Sequence, residues 1–215
     1  ETDLVTVLHA DDELMPGYCA LMRGASLRHP QAAAFYCRTE VIDADGNRTF
    51  SLLDAVKDRL INPSVGKETL LSGEPGFYAL LHGNFINAPT LCFRKSVLGN
   101  RRFPNHKFIL DWELTSQLVL DGDTIVGLPE RCYRYRRHPE AATSQYTKSQ
   151  LRFREESEFF DLMIALAQRR GWTRSERFAR KKRIVKLNLL YFALRSAARG
   201  DLAEARRDIQ MLREL

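Results

Sequence analysis

The sequence predicts an α/β domain followed by a C-terminal helical region. Up to about residue 146, short apolar runs typical of strands alternate with helical segments. Acidic or Gly/Asn-rich segments follow several of these runs directly. From Thr147 onward, apolar residues recur at helical spacing, as in the stripe Leu202, Ala205, Ile209 and Leu212. We therefore divide the chain into residues 1–146 and residues 147–215.

The composition is that of a soluble globular protein rather than a disordered one, with 44% hydrophobic and 28% charged residues. The net charge is 33 − 27 = +6, and nine Lys or Arg residues lie between Arg169 and Lys186 against one acid, Glu176. The longest apolar stretch, residues 187–194, is far shorter than the ~20 residues of a membrane span. The irregularly spaced cysteines favour free, mostly buried thiols, and we predict a cytoplasmic protein.

The first half of the predicted domain begins with an apolar strand. Residues 4–8 read as a short buried strand that requires neighbours on both of its edges. Pro16 is suited to the first turn of the helix that follows. Residues 32–39 form a second predicted strand, and Asp45-Gly46 predicts a tight hairpin turn after it.

The second half contains the remaining predicted elements of the domain. The patterns predict helices over residues 52–60 and 111–120, strands over 124–128 and 131–136, and either a functional loop or a helix start over Gly83–Pro89. After residue 146 we expect two or three helices, and Asp201 with Glu204 is typical of a capped helix start.

Two adjacent carboxylates, Asp11 and Asp12, come directly after the first predicted strand. Placing two carboxylates side by side is costly unless a positive charge neutralises them. Ligands bind at the carboxyl ends of strands in open α/β sheets, and Mg²⁺ prefers one or two carboxylates together with phosphate oxygens. The pair therefore predicts a divalent metal site, and the alternative is an acidic turn that caps the next helix.

Asp111 and Glu113 lie at the start of the predicted helix over residues 111–120. A carboxylate in this position can act as a general base that takes a proton from a hydroxyl nucleophile. The alternative interpretation is that Asp111 only caps the helix.

A basic strand, residues 131–136, runs into Arg137 and His138. A guanidinium pairs bidentately with phosphate oxygens, and a histidine can complete a metal shell. Arg136 and Arg137 are therefore candidate phosphate contacts, and His138 is a candidate metal ligand. The alternative is a charged edge strand that protects the sheet from aggregation.

Together these motifs resemble family-2 glycosyltransferases of the GT-A fold. The segment Leu8-His9-Ala10-Asp11-Asp12 resembles their DXD region, with His9 in place of the first acid and Asp11 matching the metal-binding aspartate. The segment 110–114 resembles the motif that carries the catalytic base, and residues 133–144 resemble their late Arg/His segment. The resemblance covers residues 4–145.

The resemblance implies the C-terminal part of a Rossmann-like GT-A domain with a mixed sheet, without its N-terminal nucleotide-binding part. It implies an inverting, metal-dependent transfer of a sugar from a UDP- or dTDP-linked donor to a glycan or lipid-linked acceptor, in bacterial surface polysaccharide synthesis. Mg²⁺ or Mn²⁺ would be the cofactor. The implied sites are Asp111 and Glu113 for catalysis, Asp11, Asp12 and His138 for the metal, and Asp12, Arg136 and Arg137 for the donor.

Other functions stay open. A catalytically inactive glycosyltransferase-like scaffold is the main alternative, and a metal-dependent phosphohydrolase is weaker because the five histidines are scattered. A basic helix over residues 169–186 is either a solvated face or a contact with the inner membrane surface. No nucleic-acid motif accompanies it. The C-terminal helices are a candidate homodimer interface.

Overall fold

The computed structural model describes residues 2–138 and 141–215, except for the side chains of Leu53 and Lys57. Pro139 and Glu140, which belong to the predicted Arg/His segment, lie outside the described residues. The chain forms two compact units: the sheet unit, Glu1–Pro104 with Asp111–His138, and the helical unit, Asn105–Leu110 with Pro139–Leu215. The division predicted from the sequence was 1–146 and 147–215.

The sheet unit combines strands and helices, so the predicted α/β class is confirmed. Its strands are β1 Leu4–Thr6, β2 Glu13–Leu14, β3 Ala34–Ile42, β4 Thr69–Leu71, β5 Cys92–Arg94 and β6 Ile125–Arg136. Its helices are α1 Tyr18–Arg28, α2 Leu52–Val56, α3 Gly73–Leu80, α4 Lys95–Leu98 and α5 Leu110–Leu120, the last beginning one residue before the unit boundary. A π-helical turn, Lys57–Ile61, continues α2, and a 3₁₀ turn spans Ala88–Thr90.

The six strands form one mixed sheet in the order β1-β5-β3-β6-β2, with β4 also paired to β6. Strand β5 is antiparallel to both β1 and β3, and β3 is parallel to β6. Therefore β1, β3 and β6 all run in the same direction. Their carboxyl ends lie at one edge of the sheet, which we call the carboxyl edge.

The two strands predicted over residues 124–128 and 131–136 are a single strand, β6. Its pairing with β3 continues through irregular register between Tyr36 and Thr39. Gly127 lies at a tightly packed position, because a Cβ atom there would be 2.0 Å from Ser64 Oγ and 2.4 Å from Tyr36 Oη. The two hydroxyls hydrogen-bond to each other at 2.7 Å, so a larger residue would break this buried contact.

The prediction that the first strand is buried with neighbours on both edges is wrong. In the structure β1 is an edge strand that pairs only with β5 among the described strands. Val5 is 40% exposed, and Val7 and Leu8 after the strand are also exposed. A run rich in Val and Leu predicts the strand itself, but its place in the sheet depends on the other strands.

The helical unit contains more helices than the two or three predicted. Its described part has five: α6 Ala142–Lys148, α7 Leu151–Arg169, α8 Thr173–Ala179, α9 Arg183–Ala198 and α10 Leu202–Glu214. The single basic helix predicted over residues 169–186 is therefore wrong. Gly171, with φ 71°, ends α7, and Lys182, with φ 44°, separates α8 from α9. The Lys182 ammonium donates to Ser157 and Asp161 on α7, which holds it in this uncommon conformation.

A buried charged cluster lies at the centre of the helical unit. Arg152 Nε donates to Glu156 Oε1 at 2.8 Å, and both side chains are almost fully buried. Asn188 on α9 donates its amide to both Glu156 oxygens. The Arg152 guanidinium also lies 5.0 Å from the ring centre of Phe108 and 5.5 Å from that of Phe192. Charge pairing, hydrogen bonds and ring contacts together compensate for removing these ions from water.

Glu155, beside this cluster, binds the backbone immediately before α5. Its carboxylate accepts the N–H groups of Lys107, Phe108 and Ile109 at 2.7–3.3 Å. A carboxylate in this position gives hydrogen-bond partners to backbone amides that lie outside regular secondary structure. Asp111 is the second residue of α5 and is not its cap, so the alternative interpretation of Asp111 as a helix cap is wrong.

The predicted capped start of the last helix is confirmed. Asp201 Oδ1 accepts the Glu204 N–H at 2.9 Å and caps α10. Ala205 of its apolar stripe is buried, whereas Leu202 is exposed. Among the described residues, no helix combines the length and apolar character needed to cross a bilayer.

Candidate functional site

The candidate site lies at the carboxyl edge, where the chain after β1 crosses to the opposite side of the sheet. Thr6 ends the first strand in the sheet order, and Glu13 begins the last. Four strand spacings are about 19 Å, and the seven residue steps between Thr6 and Glu13 extend to about 24 Å at most. The connecting segment must therefore follow the carboxyl edge closely. The segment contains His9, Asp11 and Asp12. The order of the strands therefore places these residues near the carboxyl ends of β3 and β6.

Four side chains meet there in the cluster that we call the Asp/His cluster: His9, Asp11, Asp12 and His138. One ligand atom from each of His9, Asp11 and Asp12 lies within 4.8 Å of the others. His138 Nε2 lies 3.1 Å from Asp11 Oδ2, although the two residues are separated by 127 positions. Sequence reasoning left His9 without a role. The structure adds it to the cluster.

The two aspartates of the cluster differ in environment. The Asp11 side chain is 46% exposed, whereas that of Asp12 is 1% exposed. Partial burial works against ionisation of Asp11, but hydrogen bonds from His138 and the backbone, together with the charges of His138 and His9, outweigh it, and the pKa of Asp11 lies below its ordinary value. Burial raises the pKa of Asp12, although hydrogen bonds to its carboxylate oppose this. Asp11 is therefore the accessible anion, and Asp12 lies behind it.

Asp12 connects the crossing segment to β6. Its Oδ1 accepts the Arg136 N–H at 2.8 Å, and its Oδ2 accepts the Tyr133 hydroxyl at 3.1 Å. Burial and the neighbouring Asp12 carboxylate raise the pKa of Tyr133, which keeps the phenol protonated as a donor. A carboxylate has about four acceptor positions, so these two bonds leave Asp12 able to bind a further group.

The Arg136 guanidinium is engaged by the protein on all three nitrogens. It donates to the carbonyls of Asp11, Asp43 and Ala44 and to Glu13 Oε1, at 2.6–2.9 Å. Four of its five N–H groups are therefore used. In this structure Arg136 joins the crossing segment to the 43–47 turn, and a phosphate contact through Arg136 would require exchange of these bonds.

Arg137 is engaged in a second ion pair. Its guanidinium binds the Asp54 carboxylate through two hydrogen bonds of 3.0 and 2.6 Å and lies 5.0 Å from the centre of the Tyr135 ring. Arg136 and Arg137, which the resemblance implies as contacts of the sugar donor, are thus both paired with acids of the sheet unit. The basic strand pattern could not reveal this, because Asp54 lies 83 positions away.

A narrow polar cleft lies beside this ion pair, with an interior of about 10 Å³, which is room for one water molecule. Its walls are Cys37, Arg38, Thr39, Asp54, Asp58, Asn62, Phe85 and Asn87. The predicted loop 83–89 forms one wall, and Asn87 Nδ2 donates to Thr39 Oγ1 at 2.9 Å. The loop precedes β5, which runs antiparallel to β3, so it lies at the carboxyl edge. The prediction of a functional loop stays a prediction.

The same loop contacts helix α5. Asn84 Nδ2 donates to Asp111 Oδ2 at 3.1 Å, and Asp111 is buried. Glu113 is also buried, and its Oε1 accepts from Gln117 on the same helix at 2.8 Å. Residues two positions apart in a helix do not face each other. The structure therefore separates the two predicted catalytic acids. Trp112 between them is a core residue that donates to the Leu80 carbonyl.

The chemistry of the Asp/His cluster fits a divalent cation. Carboxylate oxygens suit Mg²⁺ and Mn²⁺, and imidazole extends the preference toward transition metals. His138 Nε2 and Asp11 Oδ2 lie within hydrogen-bond distance, 3.1 Å apart, so both could contact the same small ligand. His138 now donates a proton to Asp11, so a cation bound between them would replace that proton.

A further ion-pair network in the cleft wall supports a pH-dependent prediction. Arg38 donates two hydrogen bonds of 2.7 Å to Asp58, and Arg131 donates a third. Burial opposes ionisation of Asp58, but these bonds prevail and lower its pKa. A carboxyl whose folded pKa lies below its unfolded value stabilises the fold above the unfolded pKa and loses that effect as the pH falls.

We expect Asp58→Asn to lower the free energy of unfolding by about 1–3 kcal/mol at pH 7, the scale of hydrogen bonds to charged groups. The difference from the parent should shrink as the pH falls below about 3.9, the ordinary pKa of an unfolded Asp. Thermal unfolding of both proteins between neutral and acidic pH measures this. A difference that does not change with pH would contradict the assignment.

Comparison with known proteins does not assign the chain to a family. No family model matches the chain, and no curated protein matches it. The resemblance to family-2 glycosyltransferases therefore depends on the motifs quoted above.

Proposed function

We propose that the chain belongs to an inverting, metal-dependent glycosyltransferase that uses a nucleotide-diphosphate sugar as donor. The observation that carries the proposal is the assembly of the Asp/His cluster at the carboxyl edge from segments more than 120 positions apart. Its residues are the ones that the DXD-like and Arg/His motifs single out. The mixed sheet with parallel β1, β3 and β6 is compatible with a GT-A domain.

The accessible carboxylate Asp11, with Asp12 behind it and the imidazoles of His9 and His138 beside it, would hold Mg²⁺ or Mn²⁺. When bound, such a cation supplies Lewis-acid stabilisation to the leaving diphosphate. Arg136 keeps the crossing segment in place through its carbonyl contacts and so positions Asp11. Asp12 and Tyr133 fix the same segment to β6.

Asp111 would accept the proton of the acceptor hydroxyl as that oxygen attacks the anomeric carbon. The bond from that carbon to the diphosphate oxygen breaks in the same displacement, and the configuration at the carbon inverts. The Asn84 amide orients the Asp111 carboxylate. Glu113 is directed elsewhere on α5, so we propose Asp111 alone as the base.

The mouth of the polar cleft beside Asn87 is our proposed acceptor contact, because the interior of the cleft has room for only about one water molecule. Its walls offer carboxylates, amides and a threonine hydroxyl, the groups that hydrogen-bond to sugar hydroxyls, and Phe85 adds an aromatic ring. An acceptor from bacterial surface polysaccharide or its lipid-linked precursor fits this chemistry.

Isothermal titration of UDP in the presence of Mn²⁺ tests the site. We expect metal-dependent binding to this chain, or to a polypeptide extended upstream of its first residue, that is weakened at least about tenfold in Asp11→Asn. This is the scale of loss seen even for groups that only support metal ligands. Asp45→Asn is the matched control, because Asp45 is an exposed aspartate in the turn that Arg136 contacts.

Unchanged binding in Asp11→Asn would remove the metal site from the proposal. Absence of UDP and dTDP binding by both folded polypeptides would favour the scaffold alternative. Metal-dependent hydrolysis of UDP-sugars without any acceptor dependence would favour the phosphohydrolase. Binding by the extended polypeptide alone would assign nucleotide recognition to upstream residues.

A further inference from the structure

Helix α9 is apolar on two opposite faces. Val185, Leu189 and Ala193 form the face that is buried in the helical unit. On the other side, Leu187, Leu190 and Leu194 are 60%, 41% and 63% exposed. Their spacing of three and four residues places them on one side of the helix. A surface helix normally presents polar residues to water, so a continuous leucine stripe is unusual there.

The charges around this stripe all have one sign. Between residues 181 and 199 there are six Lys or Arg residues and no Asp or Glu. Lys182 is bound to α7. Arg183 precedes the stripe on the same side of the helix and is exposed, and Lys186 lies at its border. Among the described residues no carboxylate forms an ion pair with either of these two cations. Tyr191 lies at the opposite border and is partly exposed.

We propose that this face of α9 docks on the surface of an anionic lipid bilayer. Helices that lie in the membrane interface combine an apolar face with flanking Lys and Arg, and tyrosine favours the same region because one end is apolar and the other polar. Each cation near an anionic leaflet adds to the attraction. This surface shares Arg183 and Lys186 with the basic segment 169–186, but that segment is divided among three helices and the leucine stripe lies beyond it.

Charge complementarity favours a bilayer over the two other candidate occupants of this face, a second copy of the chain and a nucleic acid. A second copy of α9 would bring cations against cations in either a parallel or an antiparallel pairing, since the helix has no acids to pair with them. Nucleic acid would pair with the cations but would leave the leucines against a phosphate backbone. A bilayer surface alone satisfies both the leucines and the cations. The proposal does not depend on the glycosyltransferase assignment.

Co-sedimentation of the protein with vesicles tests the proposal. We expect binding to mixed phosphatidylcholine and phosphatidylserine vesicles, weaker binding to phosphatidylcholine alone, and release as the salt rises from about 0.1 M to about 1 M. Leu187→Gln and Leu194→Gln should each weaken binding by roughly tenfold. Arg183→Gln and Lys186→Gln should each weaken binding to the anionic vesicles by about fivefold.

Leu27→Gln is the matched control, because Leu27 is an exposed helical leucine on α1 in the sheet unit. It should bind vesicles like the parent. Circular dichroism should confirm that each variant keeps its helices, since the substituted side chains are exposed. Failure of the parent to bind, or binding that the leucine substitutions leave unchanged, would overturn the proposal. A dimer in sedimentation velocity that Leu187→Gln dissociates would assign the face to a second copy.

Discussion

Replacing Asp111 by Asn should lower the turnover of glycosyl transfer by about 10²–10⁴-fold, the contribution typical of a positioned general base. The substitution preserves the shape of the side chain, and its carbonyl oxygen can still accept from Asn84. It removes only the ability to take a proton. Binding of UDP with Mn²⁺ should stay close to that of the parent, because the loss concerns the transition state. The release of UDP from a UDP-sugar in the presence of acceptor measures turnover.

Glu113→Gln provides the matched control on the same helix. Glu113 is as buried as Asp111, so we expect the two substitutions to change the stability of the fold by similar amounts. The two residues point to different sides of α5, and we expect Glu113→Gln to keep most of the turnover. Equal losses in both variants would indicate that α5 is disturbed as a whole. Unchanged turnover in Asp111→Asn would remove Asp111 as the base.

Removing the Glu156 carboxylate should destabilise the helical unit by about 3–5 kcal/mol, the usual cost of leaving one partner of a buried ion pair uncompensated. In Glu156→Ala, the Arg152 guanidinium would lose its anion while its side chain stays buried among aromatic rings. Asn188 would lose its acceptor as well. Urea unfolding followed by circular dichroism measures the change.

Glu158→Ala is the control, because Glu158 lies on the same helix but is solvent-exposed and 3.6 Å from His106. We expect a change of no more than about 1 kcal/mol there, as for other surface ion pairs. The double variant Arg152→Met, Glu156→Leu should recover much of the lost stability, since apolar residues of similar size often replace a buried pair without loss. A double variant no more stable than Glu156→Ala would contradict this explanation.

Local patterns in the sequence determined many elements of this protein. The α/β class, the boundaries of α5 to within one residue, the Asp-Gly turn after β3 and the capped start of α10 follow from periodicity and turn chemistry. The acidic pair after the first strand also indicated where carboxylate and imidazole side chains lie close together. Each of these features depends on residues within a few positions of one another, which is the range over which propensity and capping act.

Tertiary structure alone decided what each charged side chain does. Arg136 contacts the chain around Asp11, 125 positions away, and Glu155 binds amides 46–48 positions before it. Such partners are set by the packing of strands and helices, and no local pattern encodes them. The same holds for the exposure of β1 and of the leucine stripe on α9. An apolar residue predicts that a face will avoid water, but only the arrangement of the neighbouring elements determines whether the fold covers it or leaves it for a partner.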